Sequence, residues 1–216
     1  MTELVLFDLD GTLSDSAPGI LSSLRYALAA NGIEPLDAHT ERSILGPPFY
    51  ESLPPLIGGE EKLPAVIDAY REKYRAGGMF HTSVYDGIPG VLETLHEQGT
   101  RLAVATSKPE DYALPIVEYL GLAGYFETVG GDELDGSLRT KALVIGKVLK
   151  RLGVDDKDDI VMIGDRAHDV LGAREHGITC IGAGWGYAMP GELERAGARP
   201  VCEVPRELLD ALGRAA

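Results

Sequence analysis

The sequence has little cysteine, fewer basic than acidic residues and no long apolar run, and each shortage excludes a class of protein. Only two cysteines, Cys180 and Cys202, occur in 216 residues, so we interpret both as small hydrophobic residues of a reducing compartment rather than a disulfide framework. The formal net charge of −14 argues against a nucleic-acid polymer or an anionic membrane surface as partner. No apolar stretch approaches membrane-spanning length, and the N-terminus lacks the basic and apolar regions of a signal peptide. We therefore expect a cytoplasmic protein.

The remaining composition is ordinary for a globular protein, with 44% hydrophobic and 25% charged residues. A chain of this length can form one domain, or a core domain with a smaller insertion. Its acidic balance still permits a small phosphorylated metabolite as partner, because a few local cations and a metal can reverse the field inside one cleft.

Short apolar runs alternate with helical patterns from about residue 84 onward. The runs cover residues 102–106, 126–129, 160–163, 178–181 and 200–202, and helices are expected after Pro109, over 138–152 and over 167–176. This alternation predicts an α/β fold, with a parallel sheet and right-handed crossover helices on both of its faces.

The segment from residue 14 to residue 81 breaks this alternation. Apolar residues recur there at helical spacing, prolines separate short helices, and no strand pattern is visible. We therefore predict an all-helical insertion over 14–81, within a core formed by 1–13 and 82–216. The connecting hinges are expected at 14–16 and 82–86.

Two carboxylates follow the first apolar run of the chain. Asp8 and Asp10 share one face of the strand because side chains alternate, and Gly11 allows a sharp turn behind them. Two like charges in one small volume destabilise each other unless a cation or a proton separates them. The sequence alone permits either a site or an ordinary turn at this point.

Polar residues at two other strand ends favour a site. One predicted strand ends at Thr106-Ser107, another ends at Gly164-Asp165, and Lys141 lies in the helix between them. Ligands of open parallel sheets bind beyond the carboxyl ends of the strands. We therefore expect these side chains on one rim of the sheet.

This set of side chains suits phosphoryl transfer. Asp8 can attack phosphorus to form an aspartyl-phosphate, and Asp10 can protonate the leaving oxygen and then deprotonate water. Mg²⁺ prefers hard oxygen ligands, which Asp8, Asp165 and a backbone carbonyl of the first strand can supply. Thr106 or Ser107 can hold the phosphoryl oxygens, and Lys141 can neutralise the charge that the metal leaves uncovered.

In order and spacing the chain resembles the haloacid dehalogenase superfamily, whose four motifs match Asp8-Leu9-Asp10-Gly11-Thr12, Thr106-Ser107, Lys141, and Gly164-Asp165 followed by Asp169. The resemblance implies a Rossmann-like core with Asp8 as nucleophile and Asp10 as general acid and base. It also implies that Mg²⁺ is held by the carboxylates of Asp8 and Asp165 and by the backbone carbonyl of Asp10. Asp169 would support these ligands or act as an alternative one. The helical insertion resembles the cap of the first subclass, which closes over the core and selects small substrates.

The acid at position 10 distinguishes branches of this superfamily. Dehalogenases and phosphonate hydrolases lack it, so both activities are disfavoured. Local sequence resembles the branch of phosphoglycolate phosphatases and 5′-nucleotidase-like hydrolases at Leu45-Gly46-Pro47-Pro48, Leu134-Asp135-Gly136-Ser137, Gly164-Asp165-Arg166-Ala167-His168-Asp169 and Gly184-Trp185-Gly186-Tyr187.

Some residues near these motifs are candidates for substrate contacts. Arg42, before the loop Gly46-Pro47-Pro48, could meet a distal anion of the substrate or be one solvated charge. Lys108 could lean into the phosphate site or face solvent near a helix start, where a cation is mildly unfavourable. This cost favours the phosphate site, so we expect Lys108 to bind phosphate. We interpret Tyr70 and Tyr74, four residues apart, as cap packing rather than a platform for base stacking.

The leading hypothesis is a Mg²⁺-dependent phosphatase acting on a small phosphomonoester, of the phosphoglycolate or nucleoside 5′-monophosphate class. The alternative is a phosphotransferase or sugar-phosphate mutase that passes the phosphoryl group to an acceptor other than water. A phospho-accepting signalling module is a minor alternative, since in that architecture the phosphorylated aspartate lies on a later strand and no such insertion follows the first.

Overall fold

A six-stranded parallel sheet forms the centre of the computed structural model, which describes residues 2–154 and 159–215. The described residues form eight strands: β1 Leu4–Phe7, β2 Ser14–Asp15, β3 Ser83–Val84, β4 Arg101–Pro109, β5 Thr128–Asp132, β6 Ile160–Gly164, β7 Thr179–Ala183 and β8 Val201–Cys202. The large sheet has the order β5-β4-β1-β6-β7-β8 with every neighbouring pair parallel. The predicted α/β class and its parallel sheet are confirmed.

Helices connect these strands and supply the insertion. In the described ranges they are α1 Ala17–Ala30, α2 Ala38–Ser43, α3 Phe49–Ser52, α4 Pro54–Ile57, α5 Leu63–Arg75, α6 Ile88–Glu97, α7 Glu110–Tyr119, α8 Lys141–Leu152, α9 Ala167–Glu175, α10 Glu192–Ala196 and α11 Glu207–Ala215. Short 3₁₀ turns lie at Glu60–Lys62, Gly78–Phe80 and Ala123–Tyr125.

Strand β1 is buried on both faces because helices cover both sides of the sheet. Val5 and Phe7 belong to one apolar cluster, which includes α6, α7 and α11 and continues into the insertion. Leu4 and Leu6 belong to a second cluster on the opposite face, which α8 and α9 complete. A strand buried on both faces reads as a continuous apolar run, as Leu4–Phe7 does.

The insertion runs from α1 to α5, and these two helices pack along each other. At its base β2 pairs antiparallel with β3, aligning Ser14 with Val84 and Asp15 with Ser83. No strand is visible here in the sequence, because two-residue strands are too short for a periodic pattern. The division into a core of 1–13 and 82–216 and a cap of 14–81 stays a proposal. Residues 1, 155–158 and 216 of that core lie outside the described residues.

Several element boundaries differ from the sequence prediction, two of them at the candidate site residues. Strand β4 continues past Ser107 to Pro109, and its register against β5 shifts between Ala105 and Pro109. Helix α8 begins at Lys141 rather than near residue 138, because Thr140 is its N-cap and accepts a hydrogen bond from the Leu143 N–H at 3.3 Å. The N-cap residue Thr140 therefore places Lys141 at the first position of helix α8.

Both cysteines are buried free thiols, Cys180 on β7 and Cys202 on β8. Among the described residues, no helix combines the length and the apolar character that crossing a bilayer requires.

Candidate active site

The candidate site lies where the strand order reverses. From β1 the chain passes through the insertion to β4 and β5, and it then returns to β6 on the other side of β1. Such a reversal opens a crevice at the carboxyl ends of the strands. Asp8 follows β1 and its N–H donates to the Ile163 carbonyl of β6 at 2.9 Å, while Asp165 directly follows β6.

Three carboxylates meet in this crevice. Asp8, Asp165 and Asp169 each offer an oxygen within 4.8 Å of the others. They are 5%, 0% and 1% exposed respectively. Lys141 lies among them, with Nζ 2.9 Å from Asp8 Oδ1, 2.7 Å from Asp169 Oδ1 and 3.1 Å from the Ala105 carbonyl. One lysine therefore pairs with two of the three buried acids.

The pKa values in this cluster show the cost of burying charged carboxylates. Burial raises the pKa of Asp165 well above its usual range, and the carboxylates of Asp169 and Asp8 raise it further. Burial also raises the pKa of Asp169 to about 6, against the opposing effect of Lys141. Burial acts to lower the pKa of Lys141, but Asp169 and Asp8 outweigh it and the pKa is raised. The cluster therefore favours an additional positive charge.

A divalent cation fits this cluster by the chemistry of its donors. Carboxylate oxygens are the hard ligands that such cations prefer. Gly11 and Gly186 lie against the Asp165 carboxylate so closely that a Cβ at either position would overlap it. The absence of a Cβ at these two positions thus lets the backbone approach this carboxylate without displacing it.

Backbone and hydroxyl groups orient the two acids beyond β6. The Tyr187 N–H donates to Asp165 Oδ2 at 2.7 Å, and the Thr12 hydroxyl donates to Asp165 Oδ1 at 3.4 Å. The Arg166 N–H donates to Asp169 Oδ2 at 3.0 Å at the start of α9. Asp169 Oδ1 is thereby directed towards Lys141.

The hydroxyl of Tyr187 lies at the first hinge of the insertion. It donates to Asp15 Oδ1 at 2.8 Å and accepts from the N–H groups of Ser16 and Ala17 at 2.7 and 2.9 Å. These two N–H groups precede or open α1, where no intrahelical partner is available. One tyrosine therefore contacts Asp165 through its backbone and the hinge through its side chain.

Asp10 has a different environment from Asp8. Its Oδ2 pairs with Lys108 Nζ at 3.0 Å, and the same Nζ donates to the Tyr74 hydroxyl at 2.8 Å. Burial acts to lower the pKa of Lys108, but neighbouring charges, chiefly Asp10, outweigh it and raise that pKa. Asp10 Oδ1 is buried and accepts no hydrogen bond from the described residues.

A cavity of about 110 Å³ adjoins Asp10, between the sheet edge and the insertion. Ser107 and Lys108 line it, while Thr106 is buried and its Oγ1 accepts from the Lys108 N–H at 3.3 Å. All three residues lie on the last part of β4.

The insertion supplies the far wall of this cavity. Gly46 and Pro47 line it, but the Arg42 guanidinium donates to the Gly186 carbonyl at 2.9 Å. Arg71 of α5 is a lining cation that sequence reasoning missed, since a cation on an amphipathic helix also fits a solvent-exposed face. Arg71 Nη2 donates to the Tyr50 hydroxyl at 3.0 Å and to the Leu134 carbonyl.

The family is shown by a match over most of the chain. Residues 5–183 match the family model described as haloacid dehalogenase-like hydrolase. The chain belongs to this hydrolase family, as its sequence motifs imply.

Relatives that are named for different activities are similar to this chain in sequence. A tyrosine-protein kinase of Mycobacterium tuberculosis, PtkA, is 41% identical over 98% of this chain and 72% of its own length. A 5′-nucleotidase of Pseudomonas aeruginosa is 39% identical, with 88% of this chain and 86% of the relative covered. A phosphoglycolate phosphatase of Agrobacterium fabrum is 33% identical, with 87% and 82% covered.

A solved structure shares the whole fold. It is described as a predicted phosphatase from Clostridium acetobutylicum, is 40% identical, covers 99% of both chains and has a TM-score of 0.93. Together these comparisons support an enzyme that hydrolyses phosphate esters.

Removing the lysine of the carboxylate cluster tests its electrostatics. In metal-free protein at pH 8, Lys141→Met should lower the free energy of unfolding by about 3–5 kcal/mol, because it leaves buried charge uncompensated. The loss should be smaller at pH 5. An acid whose pKa is raised in the folded state stabilises the fold at low pH, and this stabilisation is lost as the pH rises through the folded-state pKa. For Asp169 that pKa is about 6 even with Lys141 present. Urea unfolding at both pH values measures this.

The matched control is Lys150→Met, an exposed lysine of the same helix. It should change the free energy of unfolding by less than about 0.5 kcal/mol at either pH. Equal losses for Lys141→Met at pH 5 and pH 8 would contradict the electrostatic account.

Proposed function

We propose that this protein is a Mg²⁺-dependent phosphatase that hydrolyses a small phosphomonoester through an aspartyl-phosphate. The names of its relatives supply two candidate substrate classes, phosphoglycolate and nucleoside 5′-monophosphates. The observation that carries the proposal is the division of two acids on one strand end. Lys141 pairs with Asp8 while Lys108 pairs with Asp10, so the two carboxyls have separate partners.

Asp8 is the proposed nucleophile. Its Oδ1 accepts from the Leu9 N–H at 2.8 Å and pairs with Lys141, so we assign the attack on phosphorus to Oδ2. As the bond from Oδ2 to phosphorus forms, the bond from phosphorus to the ester oxygen breaks. Lys141 holds the carboxylate in place and offsets negative charge on the transferred group.

Asp10 is the proposed general acid and base. Its Oδ1 has no hydrogen-bond partner among the described residues and lies beside the cavity, so we assign the proton transfer to this atom. The acid gives its proton to the departing alkoxide, and the resulting carboxylate then takes a proton from the water that attacks the aspartyl-phosphate. Lys108 on Oδ2 fixes the orientation of the group.

Mg²⁺ is the proposed cofactor. The carboxylates of Asp8 and Asp165 and the backbone carbonyl of Asp10 would hold it, with Asp169 as a supporting or alternative ligand. When bound, it neutralises charge between Asp8 and the phosphoryl oxygens. The raised pKa values of Asp165 and Asp169 support this proposal, because burial makes their charged forms costly and a bound cation would offset that cost.

The remaining phosphoryl contacts come from the end of β4. Thr106 accepts from the Lys108 N–H, which leaves its own hydroxyl hydrogen to donate to a phosphoryl oxygen. Ser107 and Lys108 line the cavity and are proposed to share this role with Lys141.

Selection of the substrate is assigned to the proposed cap. Gly46 and Pro47 line the cavity and are proposed to contact the substrate. The sequence left two interpretations of Arg42 open, a substrate contact and a solvated charge. Its hydrogen bond to Gly186 favours a role in holding the insertion to the core. A small phosphorylated metabolite as partner and a cytoplasmic location stay predictions from the composition.

Substitution of the two strand-end acids tests their roles. Asp8→Asn should abolish phosphate release from both p-nitrophenyl phosphate and an alkyl phosphate, because the proposed covalent intermediate forms on the carboxylate of Asp8. Asp10→Asn should lower kcat/KM for the alkyl phosphate by about 10²–10⁴-fold. The loss should be smaller for p-nitrophenyl phosphate, since nitrophenolate departs without protonation. Asp111→Asn, at an exposed position of α7, is the matched control. Substantial activity in Asp8→Asn would show that the nucleophile is another residue.

Metal addition tests the cofactor. Mg²⁺ at about 100 times its Kd stabilises a protein by about 2.7 kcal/mol, which at this chain length raises Tm by about 5–10 °C. We expect this rise in differential scanning fluorimetry of EDTA-treated protein, together with recovery of phosphate release. Asp165→Asn should lose the rise, whereas Asp68→Asn, at an exposed position of α5, should keep it. An equal rise in both variants would place the ion elsewhere.

One observation favours phosphotransfer as a second candidate function. The relative named tyrosine-protein kinase is at least as similar to this chain as the relative named 5′-nucleotidase, at 41% against 39% identity. The same aspartyl-phosphate on Asp8 would then pass to an acceptor hydroxyl instead of water.

The fate of labelled phosphate separates the two candidates. With a ³²P-labelled ester and an excess of a tyrosine-containing peptide or a simple alcohol, a phosphatase should release the label as inorganic phosphate. Label recovered mainly on the acceptor, at a yield that rises with acceptor concentration, would instead establish the phosphotransferase.

A further inference from the structure

The cavity beside Asp10 has an aromatic wall. The rings of Phe49 and Tyr70 lie 4.8 Å apart edge to face, those of Tyr70 and Tyr74 stack at 5.2 Å, and those of Tyr74 and Tyr112 lie 5.5 Å apart edge to face. All four residues line the cavity. They form a continuous row of rings from the insertion to the core helix α7.

This row of rings begins beside the reacting groups. The Tyr74 hydroxyl accepts from Lys108 Nζ at 2.8 Å, and Lys108 in turn pairs with Asp10 at 3.0 Å. A leaving group protonated by Asp10 would therefore meet the rings with its first atoms beyond the ester oxygen. Aliphatic side chains, Ile20, Ile44 and Ile67, extend the same apolar lining.

The charges around the cavity disfavour an anionic leaving group. Arg71 donates to two uncharged oxygens, those of Tyr50 and Leu134, and so keeps its positive charge, while Lys108 is paired with Asp10. Two acids, Asp132 and Glu133, line the same cavity and outnumber this one cation, and they would repel a carboxylate on the substrate. A two-carbon leaving group that ends in a carboxylate thus meets an aromatic wall and an acid.

The cavity volume suits one ring. At about 110 Å³ it is in the size range of an apolar cavity of about 150 Å³ that holds benzene. Aromatic pairs in edge-to-face or offset geometry add stabilisation beyond the area they bury.

We propose that the substrate of this site is a phosphomonoester whose leaving group carries an uncharged aromatic ring, bound against Tyr70 and Tyr74, and that anionic leaving groups such as glycolate are poor substrates. This inference rests on the proposed phosphatase function and specifies its substrate class. The ring belongs either to an aryl-methyl type of alcohol or to a nucleoside, and both share the chemistry that the wall recognises.

The test compares esters of primary alcohols, so that the acidity of the leaving alcohol does not decide the ranking. Phosphate release is measured with benzyl phosphate, cyclohexylmethyl phosphate, phosphoglycolate, adenosine 5′-monophosphate and methyl phosphate. We expect kcat/KM for benzyl phosphate to exceed that for cyclohexylmethyl phosphate by about 3–10-fold, the value of an aromatic pair. It should exceed that for phosphoglycolate by at least about 10-fold. A higher value for the nucleotide than for benzyl phosphate also supports the inference and places the ring beyond a sugar.

A variant separates recognition from mere packing of the insertion. Tyr70→Leu keeps an apolar side chain but removes the ring, so the preference for benzyl over cyclohexylmethyl phosphate should fall to about one. Phe49→Leu removes the neighbouring ring, and it is the replacement variant for this measurement if Tyr70→Leu does not fold. The matched control is Tyr119→Leu on α7, where the tyrosine is 59% exposed and should leave the ratio unchanged.

The outcomes distinguish this inference from the proposed function. Phosphoglycolate hydrolysed with a kcat/KM equal to or above that of benzyl phosphate overturns the inference and leaves the phosphatase intact. A preference for benzyl phosphate that survives both ring substitutions also overturns it, since the rings then only pack the insertion. Release of phosphate from none of the esters, methyl phosphate included, overturns the proposed function itself.

Discussion

Buried negative charge is the constraint on which the rest of this structure depends. Asp8, Asp165 and Asp169 meet in one small volume at the end of the central strands, where water cannot screen them. The fold brings Lys141 among them by starting α8 there, and Thr140 fixes that start. The strand order, the start of α8 and the glycines beside Asp165 all determine how groups are placed in this volume. A carboxylate cluster of this kind is suited to holding a cation and handling phosphate.

The same constraint gives the two acids that follow β1 different neighbours. Asp8 faces inwards to the cluster, whereas Asp10 faces the cavity and pairs with Lys108. The proposed chemistry at phosphorus and the proposed discrimination of the leaving group therefore fall on adjacent sides of one turn. The insertion contributes to the second side through groups that line the cavity, such as Tyr70 and Arg71.

The sequence predicted the parts of the site that lie at strand ends. Asp8, Asp10 and Asp165 follow apolar runs, and a parallel sheet brings the carboxyl ends of its strands to one edge. Residues on the insertion could not be placed, because helical periodicity identifies a buried face but not what that face adjoins. The interpretation of Tyr70 as packing agrees with its buried ring, but the sequence did not show that this ring also lines the cavity. Arg71 was missed, and Arg42, for which a substrate contact and a solvated charge were both open, bonds to Gly186.

The position of β1 in the middle of the sheet also affects how the protein is made. Its neighbours come from residues far along the chain, and the contact between Thr12 and Asp165 spans 153 residues. At about 5–20 residues per second, a ribosome needs about 8–30 s to add that length. The apolar strand Leu4–Phe7 has no sheet to enter until β4 is made, and its second neighbour β6 follows only later, so the carboxylates beside it remain hydrated for most of this interval. The site therefore forms late in synthesis, when β6 arrives and the cost of burying its charge is first met.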